Sequence, residues 1–91
     1  MKKKIAILGS TGSIGKSLIN IIKDDKKSFE ITLLTANRNY KELIKQAKIF
    51  KVKNLIITDD NSFRLAKKID PKKKFNIFNN YENLNKIFKT K

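Results

Sequence analysis

Lys4-Ile5-Ala6-Ile7-Leu8-Gly9-Ser10-Thr11-Gly12-Ser13-Ile14-Gly15 is the stretch of this 91-residue chain that decides its fold, because a short apolar run feeds directly into three glycines at intervals of three and then into a helical pattern. The apolar run at residues 5–8 suits a strand buried on both faces. Ile14, Leu18, Ile21 and Ile22 then fall at i, i+4, i+7 and i+8, one face of a helix ending near Lys23. In such a strand-turn-helix, Gly9 takes the tight turn, Gly12 lets the backbone approach a pyrophosphate, and Gly15 lets the helix lie close to the strand. The free N–H groups of the helix start and the positive end of its dipole would face the anion.

Outward from this stretch, strand and helix signals alternate. A polar turn at residues 24–28 leads to a second strand at 29–35, and Leu43, Ile44, Ala47 and Phe50 set a second helix over Tyr40–Phe50. Residues 54–58 read as a third strand. Asp59-Asp60-Asn61-Ser62 supplies cap residues for a third helix carrying Phe63, Leu65, Ala66 and Ile69. Asp70-Pro71 and three lysines break the chain, 75–78 is a weak fourth strand, and residues 81–88 form a final short helix with Leu84, Ile87 and Phe88 on one side. Strands separated by helices of about ten residues imply right-handed βαβ units and a parallel sheet. The fold class is therefore α/β, a Rossmann-like parallel sheet with flanking helices, in a single domain over residues 1–91. The aromatic residues at 29, 40, 50, 63, 75, 78, 81 and 88 read as core or helix-packing residues.

A chain of 91 residues is one small domain, and its lack of cysteine rules out disulfides and thiolate metal sites, which fits a reducing cytoplasm. It also has no histidine, the commonest metal ligand and general base. The basic start followed by apolar residues imitates a signal peptide, but the run stops after four residues, short of the roughly 7–15 of a secretory h-region. No stretch approaches the ~20 apolar residues of a membrane span, so the expectation is a soluble, cytoplasmic protein without a membrane partner. The net charge of +14 raises the alternative of a basic nucleic-acid-binding module. The lysines, however, are scattered along the chain and form no stripe interleaved with stacking aromatics, so nucleic acid is disfavoured as the partner. Lys, Ile and Asn all have AT-rich codons, and base composition alone can load solvated faces with lysine.

The glycine triplet sits in the context a dinucleotide site needs: a strand before it, a helix after it, and a second strand at the right remove. Gly15-Lys16-Ser17 copies the last letters of a P-loop, but no glycine stands five positions before Gly15. At the end of the second strand, NAD sites usually carry an acid for the ribose 2′-hydroxyl, whereas NADP sites omit it and offer a cation to the 2′-phosphate. This chain reads Thr35-Ala36-Asn37-Arg38-Asn39, with no acid between Ile31 and Lys41. Arg38 can fork onto a phosphate, with Asn37 and Asn39 adding amide donors. The residues thus point to NADPH. A stand-alone nucleotide-binding module is the alternative from a different functional class.

The opening Lys-Lys-Lys-Ile-Ala-Ile-Leu-Gly-Ser-Thr-Gly-Ser-Ile-Gly, with Phe29-Glu30-Ile31 and Ala36-Asn37-Arg38-Asn39, closely resembles the N-terminal NADPH-binding domain of the 1-deoxy-D-xylulose 5-phosphate reductoisomerase family. The resemblance extends through Gln46-Ala47 and the segment from Val52 to Asp59, to about Leu84. It implies that Thr11, Gly12, Ser13 and Ile14 line the dinucleotide phosphates and that Asn37, Arg38 and Asn39 surround the adenosine 2′-phosphate. For a complete enzyme it implies NADPH- and metal-dependent conversion of the deoxyxylulose phosphate to 2-C-methylerythritol 4-phosphate in isoprenoid precursor synthesis. The family usually has glycine where Asn37 stands, and asparagine tolerates left-handed backbone better than other non-glycine residues, so the turn can survive. Family members are several times longer. Their Asn-Lys-Glu segment, the carboxylates for a divalent metal such as Mg or Mn, and the substrate lid all lie beyond the matching region. No catalytic residue and no metal ligand is therefore assigned here, and the chain is not expected to be catalytic alone. In the family the strand that flanks residues 5–8 follows the last residue here, so that strand is expected to have one open side. The expected partners are a polypeptide carrying the missing domains, or a second copy of the chain.

Overall fold

The computed structural model describes residues 3–70 and 73–82. Four parallel strands, β1 (Lys3–Ile7), β2 (Phe29–Ala36), β3 (Asn54–Ile57) and β4 (Asn76–Phe78), lie side by side in chain order, linked by α1 (Ser13–Lys23), α2 (Tyr40–Phe50) and α3 (Asp60–Lys68). Right-handed crossovers that all step in one direction must place every helix on the same face of the sheet. Burial agrees: Ile19 and Ile22 of α1, Leu43, Ile44 and Ala47 of α2, and Ala66 of α3 join Ile31, Leu34, Leu55, Ile57 and Ile77 in one cluster. Leu33 and Ile56, which alternate with these along their strands, form a second cluster with Ala6 and Phe78 on the other face.

Strand β2 carries a bulge. Ile5 pairs with Ile31 but Ala6 pairs with Leu33, so Thr32 is an extra residue. Its hydroxyl donates to the Ile5 carbonyl at 3.0 Å, and Asn54 Nδ2 donates to its carbonyl at 3.2 Å, so side chains satisfy groups that the interrupted ladder cannot. The bulge shifts the phase of the strand, which is why Ile31 and Leu34 lie in the same cluster.

Several expectations change in detail. Strand β1 covers Lys3–Ile7, and Leu8 lies in the turn with its side chain exposed. Helix α1 has the expected length but buries Gly15, Ile19 and Ile22, whereas Ile14, Leu18 and Ile21 of the expected apolar face are exposed. The reason is the glycine: the helix approaches the sheet through Gly15, which turns the stripe one residue earlier toward solvent. In α3 Leu65, and just past its end Ile69, are likewise exposed while Ala66 is buried. Phe29, Tyr40, Phe50, Phe63 and Phe75 rim the main cluster half-buried, Phe78 does so on the other face, and Tyr81 is exposed. Tyr81 and Glu82 lie in a bend and turn, and the rest of the helix expected at 81–88 falls outside the described residues. Among the described residues β1 is an edge strand.

Candidate functional site

In an open parallel sheet the loops at the carboxyl ends of the strands form the natural binding crevice. Three loops meet there: the glycine turn after β1, residues 37–39 after β2, and residues 58–59 after β3. The glycine turn is built with a separate reason for two of its glycines. Gly9 has φ of +67°, a left-handed backbone that other residues adopt at a cost. At Gly15 a Cβ would stand 2.3 Å from the Gly9 carbonyl oxygen and 2.5 Å from Ser10 Cα, so only glycine lets α1 lie this close. Neither reason applies to Gly12. Its φ is −79°, which any residue can take, and an added Cβ would meet the Gly9 oxygen at 3.4 Å, an ordinary contact. The fold itself does not require a glycine there.

Gly12 is also the N-cap of α1, and no side chain caps this helix. The other two helices are capped: Asn39 accepts from the Glu42 amide at 3.4 Å and Asp59 from the Ser62 amide at 3.0 Å. The Gly12 amide is used within the turn, donating to the Gly9 carbonyl at 3.0 Å. Helix geometry leaves the next amides, of Ser13, Ile14 and Gly15, without intrahelical acceptors. With no acidic residue in its first turn, the start of α1 presents bare donors and the positive end of a dipole. Thr11, Gly12, Ser13 and Ile14 thus run consecutively round this mouth, Thr11 half-buried and the others exposed.

The corner after β2 is tied to β3. The Thr58 amide donates to the Ala36 carbonyl and the Asp59 amide to the Asn37 carbonyl, both at 3.1 Å, and the Thr58 hydroxyl donates to Asn37 Oδ1 at 3.0 Å. Asn37 is not among the residues of positive φ, so the left-handed backbone considered for this position is not needed. Its side chain instead fixes the corner through its oxygen, as does that of Asn39 at the cap, and each leaves its NH₂ group as the donor. Arg38 is 81% exposed, and its Nε lies 3.7 Å from Asp59 Oδ1. At this exposure the side chain stays open to a ligand, and the terminal Nη fork is the part of guanidinium that grips phosphate in two places. The Ser62 amide and hydroxyl hold the Asp59 carboxyl below its ordinary value of 3.8, and Arg38 and Arg64 add to the effect.

Sequence reading missed Thr35 and Gln46, which hold the glycine turn from inside, and Thr58 and Asp59, which set the Arg38 corner. Asp59 was legible as a helix cap, and nothing in one sequence marks a buried threonine or glutamine as a loop anchor. Among the described residues a cavity of about 420 Å³ beside Phe29 and Phe50 and one of about 360 Å³ along β4 beside Phe75 and Phe78 contain no residue of these loops. Among the described residues no three Asp, Glu, His or Cys side chains gather. Nor is any helix among them long and apolar enough to cross a membrane.

The family model described as 1-deoxy-D-xylulose 5-phosphate reductoisomerase matches residues 5–91. A reductoisomerase of that name from Pelagibacter ubique is 62% identical over 88 residues, spanning 97% of this chain and 23% of that protein. One from Porphyromonas gingivalis is 46% identical over 65 residues, 71% of this chain and 17% of that protein. Among solved structures, the reductoisomerase from Zymomonas mobilis in complex with NADPH superposes with a TM-score of 0.82 at 28% identity, covering 96% of this chain and 23% of that one. A reductoisomerase in complex with NADPH, fosmidomycin and magnesium superposes with a TM-score of 0.79 at 30% identity, covering 98% of this chain and 22% of that one. The chain thus spans less than a quarter of the length of these relatives.

Proposed function

The chain belongs to the 1-deoxy-D-xylulose 5-phosphate reductoisomerase family, and from that premise we propose that it is the NADPH-binding N-terminal part of such an enzyme, acting in the cytoplasm in isoprenoid precursor synthesis. The observation that carries this reading is Gly12: a glycine that the fold does not require, at the uncapped start of a helix, where the lack of a Cβ suits the close approach of a pyrophosphate. Thr11, Gly12, Ser13 and Ile14 receive the pyrophosphate, and Asn37, Arg38 and Asn39 the 2′-phosphate. NADPH supplies the hydride when bound. The residues here bind and orient the coenzyme, while the groups that hold substrate and a divalent metal belong to polypeptide outside these 91 residues. The reductive rearrangement of the sugar phosphate is accordingly assigned to the whole enzyme and not to this chain alone.

The same reading gives the chain a partner surface. Beside the edge strand β1, α1 presents Ile14 (80% exposed), Ile21 (63% exposed) and Leu18, with Leu8 in the adjoining turn. An open parallel edge beside an apolar stripe requires cover. Polypeptide carrying the remaining family domains provides it, and in its absence a second copy of the chain does so. Calorimetric titration with NADPH, NADH and a short oligonucleotide tests the function. Saturable NADPH binding with weaker NADH binding supports it, whereas oligonucleotide binding with a steep salt dependence and no response to NADPH favours a basic nucleic-acid module instead.

A further inference from the structure

The turn between Gly9 and Ser10 is held by two buried polar side chains to which the cofactor reading gives no role. From β2, Thr35 accepts the Gly9 amide on Oγ1 at 2.8 Å and the Ser10 amide on its carbonyl at 2.9 Å, and the same carbonyl lies 3.5 Å from Ser10 Oγ. From α2, Gln46 Nε2 donates to the Ser10 carbonyl at 3.0 Å. These two residues reach the turn from opposite faces of the sheet: α2 lies on the helix face, and Thr35 shares the parity of Leu33. On that second face the Tyr81 hydroxyl donates to Thr35 Oγ1 at 3.2 Å and so engages the remaining lone pair of the threonine oxygen.

Gln46 stands out on stability grounds. It is 3% exposed and lies among Leu43, Ile44 and Ala47 on the buried face of α2, yet its Oε1 has no hydrogen-bond partner among the described residues. An unmade hydrogen bond in a core is unfavourable, and an apolar side chain of similar volume would avoid it. What glutamine supplies that leucine does not is the bond to Ser10.

We infer that Thr35 and Gln46 are the positioning residues of the phosphate turn, a two-sided clamp that fixes Gly9 and Ser10 so that the amides beyond Gly12 stay aimed at the pyrophosphate. The inference rests on the NADPH reading above. It extends that reading by separating the two halves of the coenzyme site, because the 37–39 corner is fastened by bonds of its own to Thr58 and Asp59, just past β3. Loosening the clamp therefore weakens NADPH and NADH by the same factor, leaving the preference for the 2′-phosphate intact.

The test uses the 91-residue chain, ¹⁵N-labelled, as wild type and as Gln46→Leu, Thr35→Val and Thr35→Ser. Melting, amide exchange of the turn and affinities for both coenzymes are measured on each. Gln46→Leu is expected to melt close to wild type while the resonances of residues 9–13 shift and both affinities fall by about three- to tenfold, the size of one lost hydrogen bond. Thr35→Val should speed exchange at the Gly9 amide and weaken both coenzymes, and Thr35→Ser, which keeps the oxygen, should restore both. The clamp is overturned by a folded Gln46→Leu variant with unchanged turn resonances and affinities, or by a loss confined to NADPH. If wild type binds no NADPH while the variants still loosen the turn, the coenzyme assignment fails and the clamp stands.

Discussion

Replacing Gly12 and Gly15 separately by alanine should pull folding and binding apart. At Gly12 the backbone is already extended and the new methyl meets only the Gly9 oxygen at 3.4 Å. Alanine there loses a few tenths of a kcal/mol to about 1 kcal/mol as an N-cap and recovers about 0.4–1 kcal/mol from the smaller entropy of the unfolded chain. The two nearly cancel, and the melting temperature should move by no more than about 4–8 °C. Binding should respond differently, because in the proposed site the methyl would crowd a phosphate approaching the amides of Ser13 and Ile14. Losing one hydrogen bond to a charged group costs about 1.5–3 kcal/mol, or about 10- to 100-fold in affinity. At Gly15 the methyl would stand 2.3 Å from the Gly9 oxygen and 2.5 Å from Ser10 Cα, both main-chain atoms that cannot swing away. Overpacking of this kind costs about 1–3 kcal/mol or more, a large part of the roughly 5–15 kcal/mol that holds a domain together. Circular dichroism melts and isothermal titration with NADPH measure both quantities on each variant. Gly12→Ala binding within threefold of wild type, or Gly15→Ala melting with wild type, would refute the division of labour among the glycines.

Further outcomes follow from the same geometry. Arg38→Ala should weaken NADPH about tenfold or more and leave NADH within twofold, read by competitive titration, since the proposed role of the guanidinium fork is to grip the 2′-phosphate that NADH lacks; equal losses would remove Arg38 from coenzyme choice. Because the Asp59 carboxyl titrates lower in the folded chain than its ordinary 3.8, its stabilisation is complete above that value and is lost as pH falls through the lower folded value. Acid denaturation followed between pH 5 and about 2 should therefore be less steep for Asp59→Asn, which keeps a competent cap, and an unchanged profile would count against the Ser62 contacts as the cause. Leu18→Gln with Ile21→Gln should reduce self-association in light scattering with little change in melting temperature, because both side chains are exposed. A wild-type chain that is monomeric and stable at high concentration, and that does not bind polypeptide carrying the remaining family domains, would argue against the partner surface.

Much of this molecule is written locally. The alternation of strand and helix, the parallel sheet implied by short right-handed units, and the extents of α1 and α2 follow from the spacing of apolar residues and from caps such as Asp59. The glycine turn and the acid-free corner at 36–39 were equally legible, because a tight turn, a close approach and a phosphate each demand particular residue types at fixed offsets. Periodicity could not show which of two overlapping stripes on α1 faces the sheet. Ile14, Leu18 and Ile21 make as good a helical face as Gly15, Ile19 and Ile22, and the choice depends on how near the Gly9–Ser10 backbone the helix must come.

The sequence by itself determined the element order, the glycine turn and the acid-free corner that carries Arg38, since each rests on residues close together in the chain. Only the tertiary structure decided the bulge at Thr32 and the anchoring of the turn by Thr35 and Gln46, which lie 26 and 36 residues from Gly9 and Ser10 respectively. Those features depend on where buried donors and acceptors find partners once the strands are side by side, and no local pattern of residue types encodes such a pairing.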